Sequence, residues 1–365
     1  MGIYDSPKRI FYLDVLRVLA IILVILSHVC KTFARNFPIG SFKWMFAASF
    51  ADIAVMGVPI FLMISGALLL GRDYTLSDFM KRRFSRILIP FIFWALLLPI
   101  FKMMFLGGAW TLDSYIEMFF LKQYWFIWML IGVYLLVPIL NSFIKEFELK
   151  GLIYLLIIWF IAMLLLRDFS ITILERLLVA RSLAWKEIFA GFFGFLPLGY
   201  YLSVKKFKLT DKQMTLIGLI VFIVFTLINL IYTMTVSPEN NSLSYFGYRQ
   251  WVSTIQSIGL FIFIKYFSQY CENTNGSFKN KIYSFFKDTF VSKIIFSISV
   301  CSYGMYLTHY FWLYPLEYLS NNIFPIFTRN PVLLIGVLGF LVLMSWITVL
   351  VFSKIPILKY FSGAH

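Results

Sequence analysis

Charge is scarce in this chain. Only 13% of its 365 residues are Asp, Glu, Lys or Arg, against about a quarter in a soluble globular protein. Together with 61% hydrophobic residues, that shortage excludes an ordinary soluble enzyme. Cysteine is scarcer still. Cys30, Cys271 and Cys301 are the three, and none is spaced from another as in a metal or redox motif, so no metal site is expected from them. Acidic residues number 17 against 32 basic ones, for a formal net charge of +15. In so apolar a chain the surplus does not point to nucleic acid. Basic clusters beside apolar runs mark one face of a membrane and favour anionic lipids. Internal repeats and long Pro/Ser/Gly linkers are also lacking. The polar segments near 237–249 and 271–293 are too short for separate domains, so residues 1–365 read as one integral membrane domain.

What the chain does have is long apolar runs. Their length predicts membrane-spanning helices, and their lack of alternation argues against a β-barrel. The fold class expected is all-α: a polytopic bundle of about ten transmembrane helices in the bilayer of the cell membrane. The spans fall near 11–32, 51–70, 85–106, 124–143, 151–166, 187–203, 214–235, 250–269, 293–316 and 332–353. Basic residues gather in the segments that an N-in, C-in topology makes cytoplasmic, among them Lys81–Arg86 and Lys205–Lys212, as the positive-inside rule asks. The loop from Arg167 to Lys186 dissents. Lys8 and Arg9 precede the first run without a small-residue cleavage site, so that run is read as a retained span.

The first run, FYLDVLRVLAIILVILSHVC, carries Asp14, Arg17 and His28. Ionisable side chains at membrane depth are costly and mark functional sites by default. Arg17 and His28 are eleven residues apart, which puts them within roughly 20° around a helix axis and roughly 16 Å apart along it. Asp14 lies one turn before Arg17 and can pair with it. One helix thus presents a carboxylate, a guanidinium and an imidazole on a single stripe.

Other constellations are ambiguous singly. Pro59 with Ser65-Gly66, in GVPIFLMISGALLL, suits either close helix packing or close approach of a ligand. KRRFSRILIP supplies Arg82, Arg83 and Arg86, which fit a positive-inside anchor or a phosphate grip. Tyr124, Trp125 and Trp128 fit an outer aromatic belt or a pocket wall. Gly194, Pro197 and Gly199 break one span. His309, in SYGMYLTHYFW, is either a packing histidine or a site residue.

Taken in order, these segments resemble the acyltransferase-3 family of integral membrane O-acyltransferases. The marks are Arg17 and His28, then Pro59, Phe61, Ser65 and Gly66, then Arg86-Ile87 with Pro90, and Tyr124-Trp125. Gly199-Tyr200-Tyr201, Tyr306-Leu307 with His309, and the ending SKIPILKYFSG complete the set. The resemblance implies transfer of an acyl group, commonly acetyl, from acyl-coenzyme A to a hydroxyl of a cell-surface or lipid-linked glycan or another hydroxyl acceptor. Some relatives carry an appended hydrolase-like domain; none is expected here. In that setting His28 is the expected general base, neutral because burial disfavours the imidazolium. Arg17 holds the donor or stabilises negative charge. Arg82, Arg83, Arg86, Ser65 and Gly66 are expected to bind acetyl-coenzyme A, and Asp14, Tyr124, Trp125, Trp128 and His309 the acceptor. The rival class is a polytopic transporter or lipid flippase, which would not consume acyl-coenzyme A; a broken helix and intramembrane charge fit it too.

Overall fold

A computed structural model describes residues 9–108, 111–121, 124–164, 191–239, 247, 250–273 and 278–364. The loop from Arg167 to Lys186 lies outside the described residues. Among the described residues the chain is all-helical, and six helices are long and apolar enough to cross a membrane, or seven if one bent pair counts as a span. The protein is a multi-pass membrane protein.

The long helices are α1 (Phe11–Ala34), α2 (Phe42–Ala54), α3 (Gly57–Leu69), α4 (Ser85–Leu106), α5 (Trp125–Leu135) and α6 (Val137–Met163). They continue as α7 (Phe195–Val204), α8 (Asp211–Glu239), α9 (Trp251–Asn273), α10 (Phe278–Asp288), α11 (Phe290–Asn322) and α12 (Leu333–Lys354). Several depart from the simple span reading. The second span starts earlier than 51, because α2 and α3 form one apolar stretch from Phe42 to Leu69, interrupted only at Val55 and Met56. α5 and α6 bend by 40° across Leu136. Within α6, Glu148 adopts φ 51° and ψ −149°, which ends one helical run and starts the next inside the FELKG segment. The expected loop between the fourth and fifth spans is thus one non-helical residue. α9 buries Ser253, Thr254, Gln256 and Ser257 and is not among the helices apolar enough to count as a span.

α1 is the central helix. It packs against α2, α3, α9, α11 and α12, and Leu16, Ala20, Ile21, Ile25, Val29 and Phe33 are fully buried. A helix apolar on nearly all sides needs such surroundings. α8 instead turns Leu216, Ile220, Ile223, Leu227 and Ile231 outward, as a lipid-facing helix does.

In lipid, helices gain little from burying apolar surface against each other, so small residues and interhelical hydrogen bonds carry the association. Both devices are present. A Cβ on Gly66 would lie 1.9 Å from the Leu196 carbonyl oxygen, and one on Gly199 2.0 Å from that of Met63, so α3 and α7 touch backbone to backbone. Gly218 and Gly259 do the same for α8 and α9, against Phe263 and Phe222. Asp52, fully buried on α2, accepts a 2.7 Å hydrogen bond from Thr233 of α8. Its backbone carbonyl accepts from Asn229 and Gln256, tying three helices together.

α11 runs parallel to α1. Their side-chain contacts pair Arg9 with Ser292, Asp14 with Ser299, His28 with Tyr310 and Thr32 with Glu317. α4 is also parallel to α11, with Tyr303 donating to the Ile87 carbonyl and Phe101 packed on Phe311. The final turn, Leu358–Phe361, folds back so that Trp94 donates to the Phe361 carbonyl at 2.8 Å.

Gly199→Ala should lower the melting temperature in detergent, with a cost of about 1–3 kcal/mol from overpacking. An unchanged melting curve would contradict the backbone contact between α3 and α7.

Candidate active site

A cavity of about 410 Å³ opens where the N-terminal ends of α1, α4 and α11 meet α3 and α5. Its chemistry is one-sided. Arg9, Arg17, Arg72, Arg83 and Arg86 all line it, and Asp14 is the acidic residue among its lining. Asp14 makes no ion pair with Arg17 among the described residues, although the spacing allows one. Its carboxylate takes a 2.7 Å ion pair from Arg9 and a 2.7 Å hydrogen bond from Ser299 of α11. The physical reason is competition: Arg9 approaches from the chain just before the helix and Ser299 from the neighbouring helix, so both carboxylate oxygens are occupied. Arg17 faces the cavity without a hydrogen bond or ion pair to the described residues. An arginine in a bundle interior whose nearest acid is already committed is poised for an anionic ligand.

The cavity floor is aromatic and hydroxylated. Ser65 and Tyr134 are 3.1 Å apart through their hydroxyls, and Phe126, Leu130, Tyr303 and Tyr306 belong to the wall. Phe126, Leu130 and Tyr134 are four residues apart on α5, hence on one helix face. That spacing was available in the sequence as a signal for Tyr134. Arg9, Arg72 and Ser299 are further lining residues outside the motif reading, and Tyr306, one of the family marks, also lines the cavity.

Beyond the cavity, about three helical turns from Arg17, three rings cluster. His28 and His309 have ring centroids 5.1 Å apart, His28 and Tyr310 4.9 Å, and His309 and Tyr310 4.3 Å. The Tyr310 hydroxyl lies 2.8 Å from His28 Nδ1. His309 is fully buried and its Nδ1–H donates to the Tyr306 carbonyl at 2.7 Å. Its Nε2 has no hydrogen-bond partner among the described residues. Tyr306, which lines the cavity, stacks toward His309 at 5.8 Å and so joins the two regions. Thr32, one turn past His28, donates to Glu317 at 3.1 Å.

The remaining candidates separate. Arg83 and Arg86 line the cavity; the Arg82 side chain lies outside the described residues. Ser65 lines it, while Gly66 is occupied by its contact with Leu196. Tyr124 is buried and donates to the Leu307 carbonyl at 2.7 Å, inside the bundle and not at an outer belt. Leu307 lies fifteen residues beyond Ser292 on α11, or about 22 Å along the axis. Trp125 packs on Phe192, and Trp128 sits edge-on to Phe91. None of these three aromatics borders the cavity.

Fold and site together define a multi-pass helical membrane protein with a cationic cavity on one side of Tyr306 and two packed imidazoles, half-buried His28 and buried His309, on the other. The family model described as an acyltransferase domain, that of the acyltransferase-3 family, matches residues 10–351. The chain belongs to that family and is a membrane acyltransferase. No curated protein and no solved structure matches it.

Asp14→Ala removes a shared partner of Arg9 and Ser299 and should cost about 2 kcal/mol of stability, as loss of a charge-assisted hydrogen bond does. Ser299→Ala should cost roughly half that. Thermal unfolding in nanodiscs reads both, and a neutral Asp14→Ala would contradict the α1–α11 link.

Proposed function

We propose that this protein moves an acetyl group from acetyl-coenzyme A to a hydroxyl of a cell-surface or lipid-linked glycan. The observation that carries the reading is the cavity with five arginines and one already-paired carboxylate. Coenzyme A is polyanionic, and guanidinium forks match phosphate oxygens. Arg72, Arg83 and Arg86 grip the nucleotide phosphates at the mouth, on the side that an N-in, C-in topology makes cytoplasmic. The parallel course of α1 and α11 agrees with that topology. Arg17, deeper on α1, holds an anionic part of the donor inside the cavity. The pantetheine arm then extends past Ser65 and Tyr306 toward His28, about 16 Å further along α1.

His28 is the general base. It accepts the proton of the acceptor hydroxyl as that oxygen forms its bond to the acyl carbon. The carbon–sulfur bond breaks, the thiolate leaves, and the proton held by His28 passes to the sulfur. Products are the O-acyl acceptor and free coenzyme A, and His28 returns neutral. Arg17 cannot exchange the proton, because guanidinium stays charged. Water serves as a slow surrogate acceptor.

Purified protein in nanodiscs should release thiol from acetyl-coenzyme A. His28→Ala should reduce that rate by roughly 100-fold or more while the protein remains inserted. Arg17→Ala should weaken donor binding as well as turnover. Equal turnover in wild type and His28→Ala would overturn the role of His28, and no turnover with no coenzyme A binding would favour a carrier.

A further inference from the structure

Tyr310 is the nearest polar neighbour of His28. Its hydroxyl oxygen is 2.8 Å from Nδ1 and 3.4 Å from Nε2, so the closer nitrogen is Nδ1. The phenol ring is 8% exposed, packed between His309 at 4.3 Å and Tyr314 at 5.5 Å. It does not border the cationic cavity.

A neutral imidazole carries one proton and one lone pair. Which nitrogen carries which is set by the hydrogen bond that the other one makes. If Tyr310 donates to Nδ1, the proton of His28 sits on Nε2 and neither nitrogen offers a lone pair to a substrate. If Nδ1–H donates to the Tyr310 oxygen, Nε2 keeps its lone pair and is competent as a base. Only the second arrangement is compatible with the proposed role of His28. The surroundings hold the ring in place for it. His309 has its own tautomer fixed by the Tyr306 carbonyl, with Nδ1–H donating at 2.7 Å. It packs against both His28 and Tyr310 and carries no net charge in that tautomer.

From this geometry we infer that Tyr310 is a positioning residue: its oxygen accepts Nδ1–H of His28 and so presents Nε2 to the hydroxyl that is acylated. The inference rests on the reading of His28 as the base. Tyr310 itself forms no bond to the acyl group.

The test compares full-length wild type, Tyr310→Phe and His28→Ala in nanodiscs, with acetyl-coenzyme A as the probe. Phenylalanine keeps the ring packing and removes only the hydroxyl. The kcat of thiol release should fall roughly 10- to 100-fold in Tyr310→Phe, on the scale of the loss that follows removal of the outer hydrogen-bond partner of a metal-bound imidazole. KM for acetyl-coenzyme A should stay within about twofold, because the arginine cavity is untouched. A merely structural role would not produce that split. A second readout is the ¹⁵N spectrum of histidine-labelled protein, which has three histidines to assign. His28 should be protonated on Nδ1 in wild type and lose that preference in Tyr310→Phe.

Wild-type kcat in Tyr310→Phe, or His28 protonated on Nε2 in wild type, would overturn the inference. So would an acetyl group recovered on Tyr310 after a single turnover, which would make the phenol a nucleophile. If His28→Ala turns over as fast as wild type, or if wild type neither binds nor consumes acetyl-coenzyme A, the base reading fails and the role of Tyr310 with it. If only His28→Ala is impaired, the base reading stands and Tyr310 alone is removed from it.

Discussion

Four polar contacts hold α11 in register beside α1: Arg9 on the Ser292 carbonyl, Ser299 on Asp14, Tyr310 beside His28, and Thr32 on Glu317. Everything proposed for the site depends on that register. A slip of one residue would turn each side chain by about 100° around its helix. Tyr310 would then leave His28, and Ser299 would release Asp14. In a bilayer the apolar faces of two helices do not choose one such register over another, because lipid tails solvate them nearly as well. Directional contacts do. The same ladder keeps the ends of the two helices level, so the arginine-lined cavity forms at one end and the imidazole cluster lies three turns beyond it.

The second constraint is charge. Unpaired arginine inside a membrane protein is expensive and persists where it is used. Here Asp14, the one acidic residue among the described residues of the cavity lining, is held by Arg9 and Ser299, and Arg17, Arg72, Arg83 and Arg86 face the open volume. Asp14 clamps α11 to α1, and in that position it makes no ion pair with Arg17. The proposed division places anion recognition at Arg17, in the second turn of α1, and proton transfer at His28, three turns further along the same helix.

Much of this was legible in the sequence, for identifiable reasons. Helical periodicity alone aligns Arg17 with His28, and scarcity of charge makes each intramembrane ionisable group conspicuous. Arg83 and Arg86 could be placed beside a span by hydropathy. Partner choice was not legible. Asp14 is one turn from Arg17, yet the nearest donors in space come from Arg9 and from a residue 285 positions away. Nothing in sequence distance announces such a contact. Tyr134 and Tyr310 are ordinary tyrosines until the bundle aims them. Gly66 shows the converse: the small pair Ser65-Gly66 serves both expectations at once, the serine lining the cavity and the glycine receiving Leu196. Tyr124 read as interfacial because of its aromatic neighbours, but its hydroxyl found the Leu307 carbonyl inside the bundle. The buried Asp52 cluster escaped notice because its partners Asn229, Thr233 and Gln256 lie on two segments distant from it in sequence.

The central claim is that the arginine cavity receives the phosphates of coenzyme A. Calorimetric titration of coenzyme A into wild type and into the Arg83→Ala/Arg86→Ala double variant tests it most directly. Wild type should bind, with affinity falling as salt screens the charges, and the double variant should bind at least about tenfold more weakly, as loss of roughly 1.4 kcal/mol or more implies. Equal affinity in the two proteins, or no binding by folded wild type, would contradict the account.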